Sequence, residues 1–248
     1  MTSPALSSTP GTRLTRLRER GRTDRESLHA LLADGLVAHV GLVRDGRPVV
    51  LPSAYAVDPA GPDEAGTLYL HGSVAAGWLG RMDGTEVCVT VTELDGLVLA
   101  RSAFHHSMNY RSAVVLGRAR LVTDEAERHR ALDGIVDQVV PGRAATLRPT
   151  TRKELAATVV LAVPLAEASV KVRQGDVGDD AEDVAAGAWA GTLPLRRACD
   201  GVVSNPDSHD RVPDDVVRRA ATWSAPAARA CRGPTRADRG HGGHRGQP

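Results

Sequence analysis

Arg101-Ser102-Ala103-Phe104-His105-His106-Ser107-Met108-Asn109-Tyr110-Arg111-Ser112 sets two imidazoles, an amide, a phenol and a guanidinium between two strand-like apolar runs. That mixture suits a ligand better than a core. Asn109 supplies a donor and an acceptor for the edge of a planar heterocycle, Arg111 a fork of donors suited to phosphate, and Ser112 a hydroxyl. The other reading of Arg111 is an ion pair with an acidic neighbour. On an extended chain His105 and His106 point to opposite sides, and no Asp, Glu or Cys stands at supporting spacing, so no metal is expected here.

Working outward, 86–92 (EVCVTVT) and 113–122 carry the β-branched density of buried strands. Strands 36–43 and 48–57 flank Asp45-Gly46, a pair that tolerates the positive φ of a hairpin turn. The runs 67–71, 158–163 and 168–173 also read as strands. Helical signals are shorter. Thr23 and Glu26 have capping-box spacing ahead of Leu28, Leu31 and Leu32, and Gly35 supplies a stop. Residues 74–82 look helical, Asp124 and Glu127 open a helix that runs to about 140 before Pro141-Gly142, Thr151 and Glu154 cap another, and 212–222 suggests a last one. About six strands with interspersed short helices, no internal repeat and no alternation with long helices predict a mainly β fold rather than a doubly wound sheet. Residues 1–12 read as a flexible leader, 13–223 as the domain, and 224–248 as a disordered tail of Gly, Pro, Arg and His.

Composition narrows the function. The 248 residues carry a formal net charge of +1, so no global field recruits nucleic acid or an anionic membrane, and a phosphate must be held by a local cluster. The arginine run at 13, 16, 18, 20 and 22 lacks interleaved aromatics for base stacking and reads as a solvated segment. Cys88, Cys199 and Cys231 form no Cys-x-x-Cys pair, which argues against a zinc site or a secreted disulfide framework and makes the cytoplasm the default. No apolar run reaches the length of a membrane span. There is no dinucleotide fingerprint, Walker motif or nucleophile elbow.

Three further segments join the first. Leu68-Tyr69-Leu70-His71-Gly72-Ser73 ends a strand on an imidazole, Pro52-Ser53-Ala54-Tyr55 closes the second hairpin strand, and Trp189-Ala190-Gly191-Thr192-Leu193-Pro194 follows an acidic loop. Each has a plain structural reading: a hydrogen-bonded strand-end histidine, a core tyrosine, a core tryptophan.

Together these motifs resemble the flavin-binding split-barrel proteins related to pyridoxamine 5'-phosphate oxidase, in the flavin-nucleotide-binding branch near the nitroimidazole reductases, over roughly residues 18–219. The resemblance implies a β-barrel of Greek-key type with peripheral α-helices, a homodimer, and non-covalent FMN at the subunit seam. It implies a flavin-dependent oxidoreductase acting on a small molecule such as a nitroaromatic acceptor; a flavin carrier or sensor, or a barrel using haem or a deazaflavin, is the alternative. It assigns His71 to catalysis beside the flavin, and Pro52, Ser53, Ala54, Tyr55, His71, Gly72, Ser73, Asn109, Tyr110, Arg111, Ser112 and Trp189 to cofactor contact, with Arg18 or Arg20 in reach of the phosphate. His105 and His106 would be loop residues at the seam. Val74-Ala75-Ala76 stands where the oxidases place cationic grips on phosphate, which argues against vitamin B6 oxidase activity.

Overall fold

β6 (Glu86–Leu99) is the longest strand of the computed structural model, which describes residues 5, 6 and 9–224. Val87, Val89 and Val91 are buried while their neighbours are less so, because successive side chains leave a strand on opposite faces. Its length lets it serve several partners. Along one edge its first half pairs with β2 (Ala38–Arg44) and its second half with β11 (Gly191–Pro194); along the other it pairs with β7 (Ser107–Arg118). A bulge between Leu94 and Gly96 separates the halves.

The seven-stranded sheet runs β1 (Gly21–Arg22), β10 (Glu167–Arg173), β7, β6, β2, β3 (Arg47–Ser53), with β11 beside β6. A second sheet runs β4 (Tyr55–Asp58), β5 (Thr67–Ser73), β9 (Thr158–Pro164), β8 (Arg120–Leu121). All pairings are antiparallel, and the two sheets form a mainly β split barrel. No helix among the described residues is long and apolar enough to cross a membrane.

Helix α1 (Arg25–Asp34) plugs the barrel, burying Leu28, Leu31 and Leu32 against Val40, Leu68, Leu70, Val89, Val115 and Leu161. Helix α2 (Glu125–Val139) covers the outer face of the small sheet with Ala131 and Ile135 on Tyr69 and Val160. β5 is therefore buried on both sides: Leu68 and Leu70 face the barrel, Tyr69 faces α2. By the same alternation His71 emerges on the α2 side.

Several expectations are corrected. The described residues hold eleven strands, not about six, because 48–57 breaks at Ala54 into β3 and β4, two-residue pairings at Gly21 and Arg120 give no periodic signal, and 191–194 is stranded only by docking on β6. The 101–112 segment is half strand, since β7 already begins at Ser107. The helix expected at 74–82 is two short 3-10 turns, Val74–Ala76 and Leu79–Arg81, interrupted by Gly77 at φ 65°. Asp24, not Thr23, caps α1, its carboxylate accepting from Ser27 N at 2.7 Å. Part of the leader is docked: Leu6 N donates to Thr23 O at 2.7 Å and Thr12 is buried. The Asp45-Gly46 turn has both residues at positive φ, and Thr151 with Glu154 closes a capping box on α3 (Arg152–Ala157). After the short α4 (Ala181–Ala185), helix α5 (Asp214–Trp223) covers the expected 212–222, while the expected tail lies outside the described residues except for Ser224.

Tyr55 is fully buried and its hydroxyl donates to Leu32 O at 2.6 Å, with Gly35 O at 3.0 Å, at the C-terminal end of α1. Gln138 Nε2 donates to the same two carbonyls at 2.8 and 2.7 Å. Because each acceptor keeps a second donor, Tyr55→Phe is expected to cost only about 1 kcal/mol in urea unfolding. The Tyr55→Phe/Gln138→Ala pair, which strands both carbonyls, is expected to exceed the sum of the single losses.

Candidate functional site

The residues expected to gather around one cofactor occupy three places in the chain. The first is a cleft of about 670 Å³ between the end of β5, α2, the turn at Ala144–Thr146 and the start of α3. His71 forms part of its floor, and Leu132, Ile135, Val136 and Leu147 give it apolar walls. The Nδ1 atom of His71 is enclosed and has no partner among the described residues, an arrangement that costs free energy unless something else is bound. His129 on α2 lines the same cleft and was not singled out in the sequence; its position on the α2 face beside Leu132 and Val136 is the signal that a helical projection gives. Arg148 at the rim holds Glu154 in a two-pronged pair at 2.6 and 3.0 Å. Gly72, on the barrel side of β5, is required for packing: a Cβ there would lie 2.2 Å from Leu79 Cδ1. Ser73 caps the following turn, accepting from Ala75 N at 3.1 Å, but that turn is three residues long rather than the expected helix start.

The second place is the lower end of β7. Arg111, expected to grip phosphate, is spent on carboxylates: its Nε and Nη2 donate to Asp95 at 3.0 and 2.9 Å, and its Nη1 lies 2.8 Å from Asp34 Oδ2. The Asp95 hydrogen bonds hold this guanidinium above its ordinary value. The ion-pair reading is the one the geometry supports, because Arg111 shares the inward face of Ala113 and meets the end of α1 across the barrel mouth. Asn109 donates from Nδ2 to Gly175 O at 3.1 Å and accepts from Arg173, which anchors β7 to the end of β10. Ser112 accepts from Thr92 Oγ1 at 3.3 Å, and Tyr110 stands half-buried beside it on the outward face.

Next to this strand end, Arg101 donates to Asp179 Oδ2 at 2.7 Å and to Ala188 O at 2.8 Å, clamping the 101–106 turn to both flanks of α4. His105 Nε2 lies 3.2 Å from Asp180 Oδ2 and the His106 ring bonds Ser102 O, so neither imidazole joins the other. The clamp displays rather than hides its aromatics: Phe104 is 89% and Trp189 70% exposed. A core role for Trp189 is thereby excluded within one chain. Arg101 and Asp179, which build this display, were not among the expected residues.

The third place is the free edge of the large sheet at Pro52, Ser53 and Ala54. Ser53 Oγ donates to Ala54 O at 2.8 Å. Register places Ser53 opposite Ala38 on β2, three strands from Ala113 on β7, a separation of roughly 14 Å along the sheet. The Tyr55 side chain, expected as a possible stacking partner, is wholly enclosed under α1 and offers a ligand no surface.

Two outcomes follow from this geometry. Arg111→Ala is expected to lower stability by about 1–3 kcal/mol in chemical unfolding, since it leaves Asp34 and Asp95 without their cation, and Arg111→Lys should restore only part because it cannot reproduce the fork. Burial pushes His71 below the ordinary imidazole value of 6.5. The native state then binds fewer protons than the unfolded chain, so this contribution is present above pH 6.5 and is lost as pH falls through the folded value. His71→Gln should therefore lessen the fall of Tm on acidification, and a Tm profile parallel to wild type would mean that His71 does not titrate in this way.

Comparisons with known proteins add the context. No curated protein sequence matches the chain. Among solved structures, flavocytochrome Anf3 from Azotobacter vinelandii is 36% identical with a TM-score of 0.77, the match covering 88% of this chain and 98% of that one. The FAD and haem binding protein from Mycobacterium smegmatis is 40% identical with a TM-score of 0.74, covering 81% of this chain and 97% of the other. The family model described as pyridoxamine 5'-phosphate oxidase matches residues 24–172, from the cap of α1 through nearly all of β10. With the helical plug, the whole small sheet and β2, β3, β6, β7 and nearly all of β10 of the large sheet inside that match, the chain belongs to the pyridoxamine 5'-phosphate oxidase family.

Proposed function

We propose that this protein is a redox protein that binds a flavin and a haem. The observation that carries this reading is the pair of relatives, 36% and 40% identical over nearly their whole length, that are named a flavocytochrome and an FAD and haem binding protein. FAD replaces the FMN suggested by resemblance, because the 40% identical relative is named for FAD. A substrate of the nitroaromatic class is one acceptor to try.

The cleft at His71 fits a haem. It combines a neutral, desolvated imidazole, the form that ligates iron, with apolar walls, and its about 670 Å³ falls in the range of small-molecule sites. His71 would be the ligand, Leu132, Val136 and Leu147 would exclude water, and His129 stands on the neighbouring wall. Bound there, haem supplies one-electron chemistry whose potential the ligand and the dryness of the site set. The flavin would lie at a seam between two copies, where Phe104, Trp189 and Met108 leave apolar surface uncovered and the strand edge at Ser53 is free.

The absorbance spectrum of the purified full chain is the test, with flavin bands near the visible blue and a Soret band both expected. His71→Ala should abolish the Soret band while released flavin is unchanged. A Soret band that persists in the variant moves the haem elsewhere, and a colourless protein that takes up neither group on reconstitution ends the proposal. Light scattering should give roughly twice the chain mass, and Trp189→Asp or Phe104→Asp should shift it towards the monomer.

A further inference from the structure

A second cleft, of about 500 Å³, lies far along the sheet from the β3 edge, between the N-terminal segment, β1 and β10. Arg13, Arg18 and Arg22 are among the residues that line it. The guanidinium groups of Arg13 and Arg18 have no hydrogen-bond or ion-pair partner among the described residues, while Arg22 donates to the carbonyl of Gly21 at 3.4 Å and lies near enough to Asp24 to help hold that carboxyl below its ordinary value. Acids of the same segments are committed elsewhere: Asp24 caps α1, Glu167 accepts from Thr9, and Glu19 faces Arg20. The arginines that meet β6 and β7 behave differently, for Arg111, Arg118 and Arg197 each hold a carboxylate.

Three cations around one groove repel each other unless an anion joins them. Leu17 precedes Arg18 in the left-handed region, φ 54° and ψ 53°, a conformation that disfavours a non-glycine residue. Thr23 and Ser169 add hydroxyls, while Leu6, Leu14 and Val170 make an apolar wall. Guanidinium forks and hydroxyls match phosphate oxygens, and an apolar wall of this size suits a planar base.

We infer that this groove is a binding site for the adenosine diphosphate portion of a nucleotide. The two sources of that chemistry are the tail of FAD, whose ring would then lie on the β10 side of the large sheet rather than at the β3 edge, and a nicotinamide dinucleotide. Only the FAD arm of the test rests on the flavin reading above; binding of ADP itself does not.

The test uses the full chain as purified, in wild type, in Arg13→Glu/Arg18→Glu, and in Arg44→Glu/Arg47→Glu, which makes the same charge change on the exposed β2–β3 hairpin. Released flavin is identified by chromatography, and ADP is titrated by calorimetry. If the groove holds the FAD tail, the first variant loses FAD by about tenfold or more, and the hairpin variant keeps it. If it serves a nicotinamide dinucleotide, FAD content is equal in all three and the first variant alone weakens ADP by about tenfold or more, the effect of losing charge-assisted bonds. Equal FAD content together with equal ADP affinity, or the same losses in the hairpin variant, overturns the site. Thermal unfolding of each variant keeps misfolding apart from lost binding, since Arg13 and Arg18 are exposed and their replacement should leave Tm unchanged.

Discussion

A helix that ends inside a barrel must satisfy its last carbonyls there, and the rest of this molecule is arranged around that demand. The carbonyls of Leu32 and Gly35 have no partner within the helix and are enclosed, while those of Ala33 and Asp34 stay exposed at the mouth. Tyr55 from the small sheet and Gln138 from α2 both supply donors to Leu32 and Gly35. One residue further back, Asp34 receives Arg111 from the large sheet. The end of α1 thus ties both sheets and α2 to one point, and the position of α2 in turn sets the roof of the His71 cleft.

The small sheet owes its character to being covered on both faces. A strand buried on one side alternates; β5 is buried from Thr67 to Leu70 without a break because the barrel takes Leu68 and Leu70 while α2 takes Tyr69. Tyr69 donates to Glu127 at 3.1 Å, and Arg120 joins Glu127 to Asp63 at 2.7 and 2.8 Å, so the polar groups that α2 buries come with their counter-charges. Where this coverage stops, His71 is left with an enclosed nitrogen that has no partner among the described residues. Burial shifts an imidazole in that position toward its neutral form.

Charge is distributed unevenly on a chain whose sum is nearly zero. Around the mouth of the barrel arginine and carboxylate are matched: Arg111 with Asp34 and Asp95, and Arg197 with Glu93, while Trp223 packs under Arg197 and Arg219. At the opposite edge of the large sheet, by β1, the guanidinium groups of Arg13 and Arg18 are left without partners among the described residues. Matched pairs brace elements; unmatched cations concentrated in a cleft attract anions.

The sequence by itself determined what depends on neighbours along the chain. The hairpin at Asp45-Gly46, the caps at Asp124 and Thr151 and the β-branched run of β6 are all legible within a few residues, because turn φ values, cap hydrogen bonds and strand alternation act at that range. Only the tertiary structure decided what each polar side chain touches. A fork of donors at 111 suits phosphate and carboxylate alike, and it met carboxylates because the end of α1 and the bulged half of β6 arrive at the same mouth. Tyr55 was lost to a ligand for the same reason, being nearest to the helix end that needed a donor. Two-residue strands, the docking of 191–194 on β6, and the cleft between β5 and α2 leave no periodic trace, since their stabilisation comes from surfaces that meet only after the chain has folded.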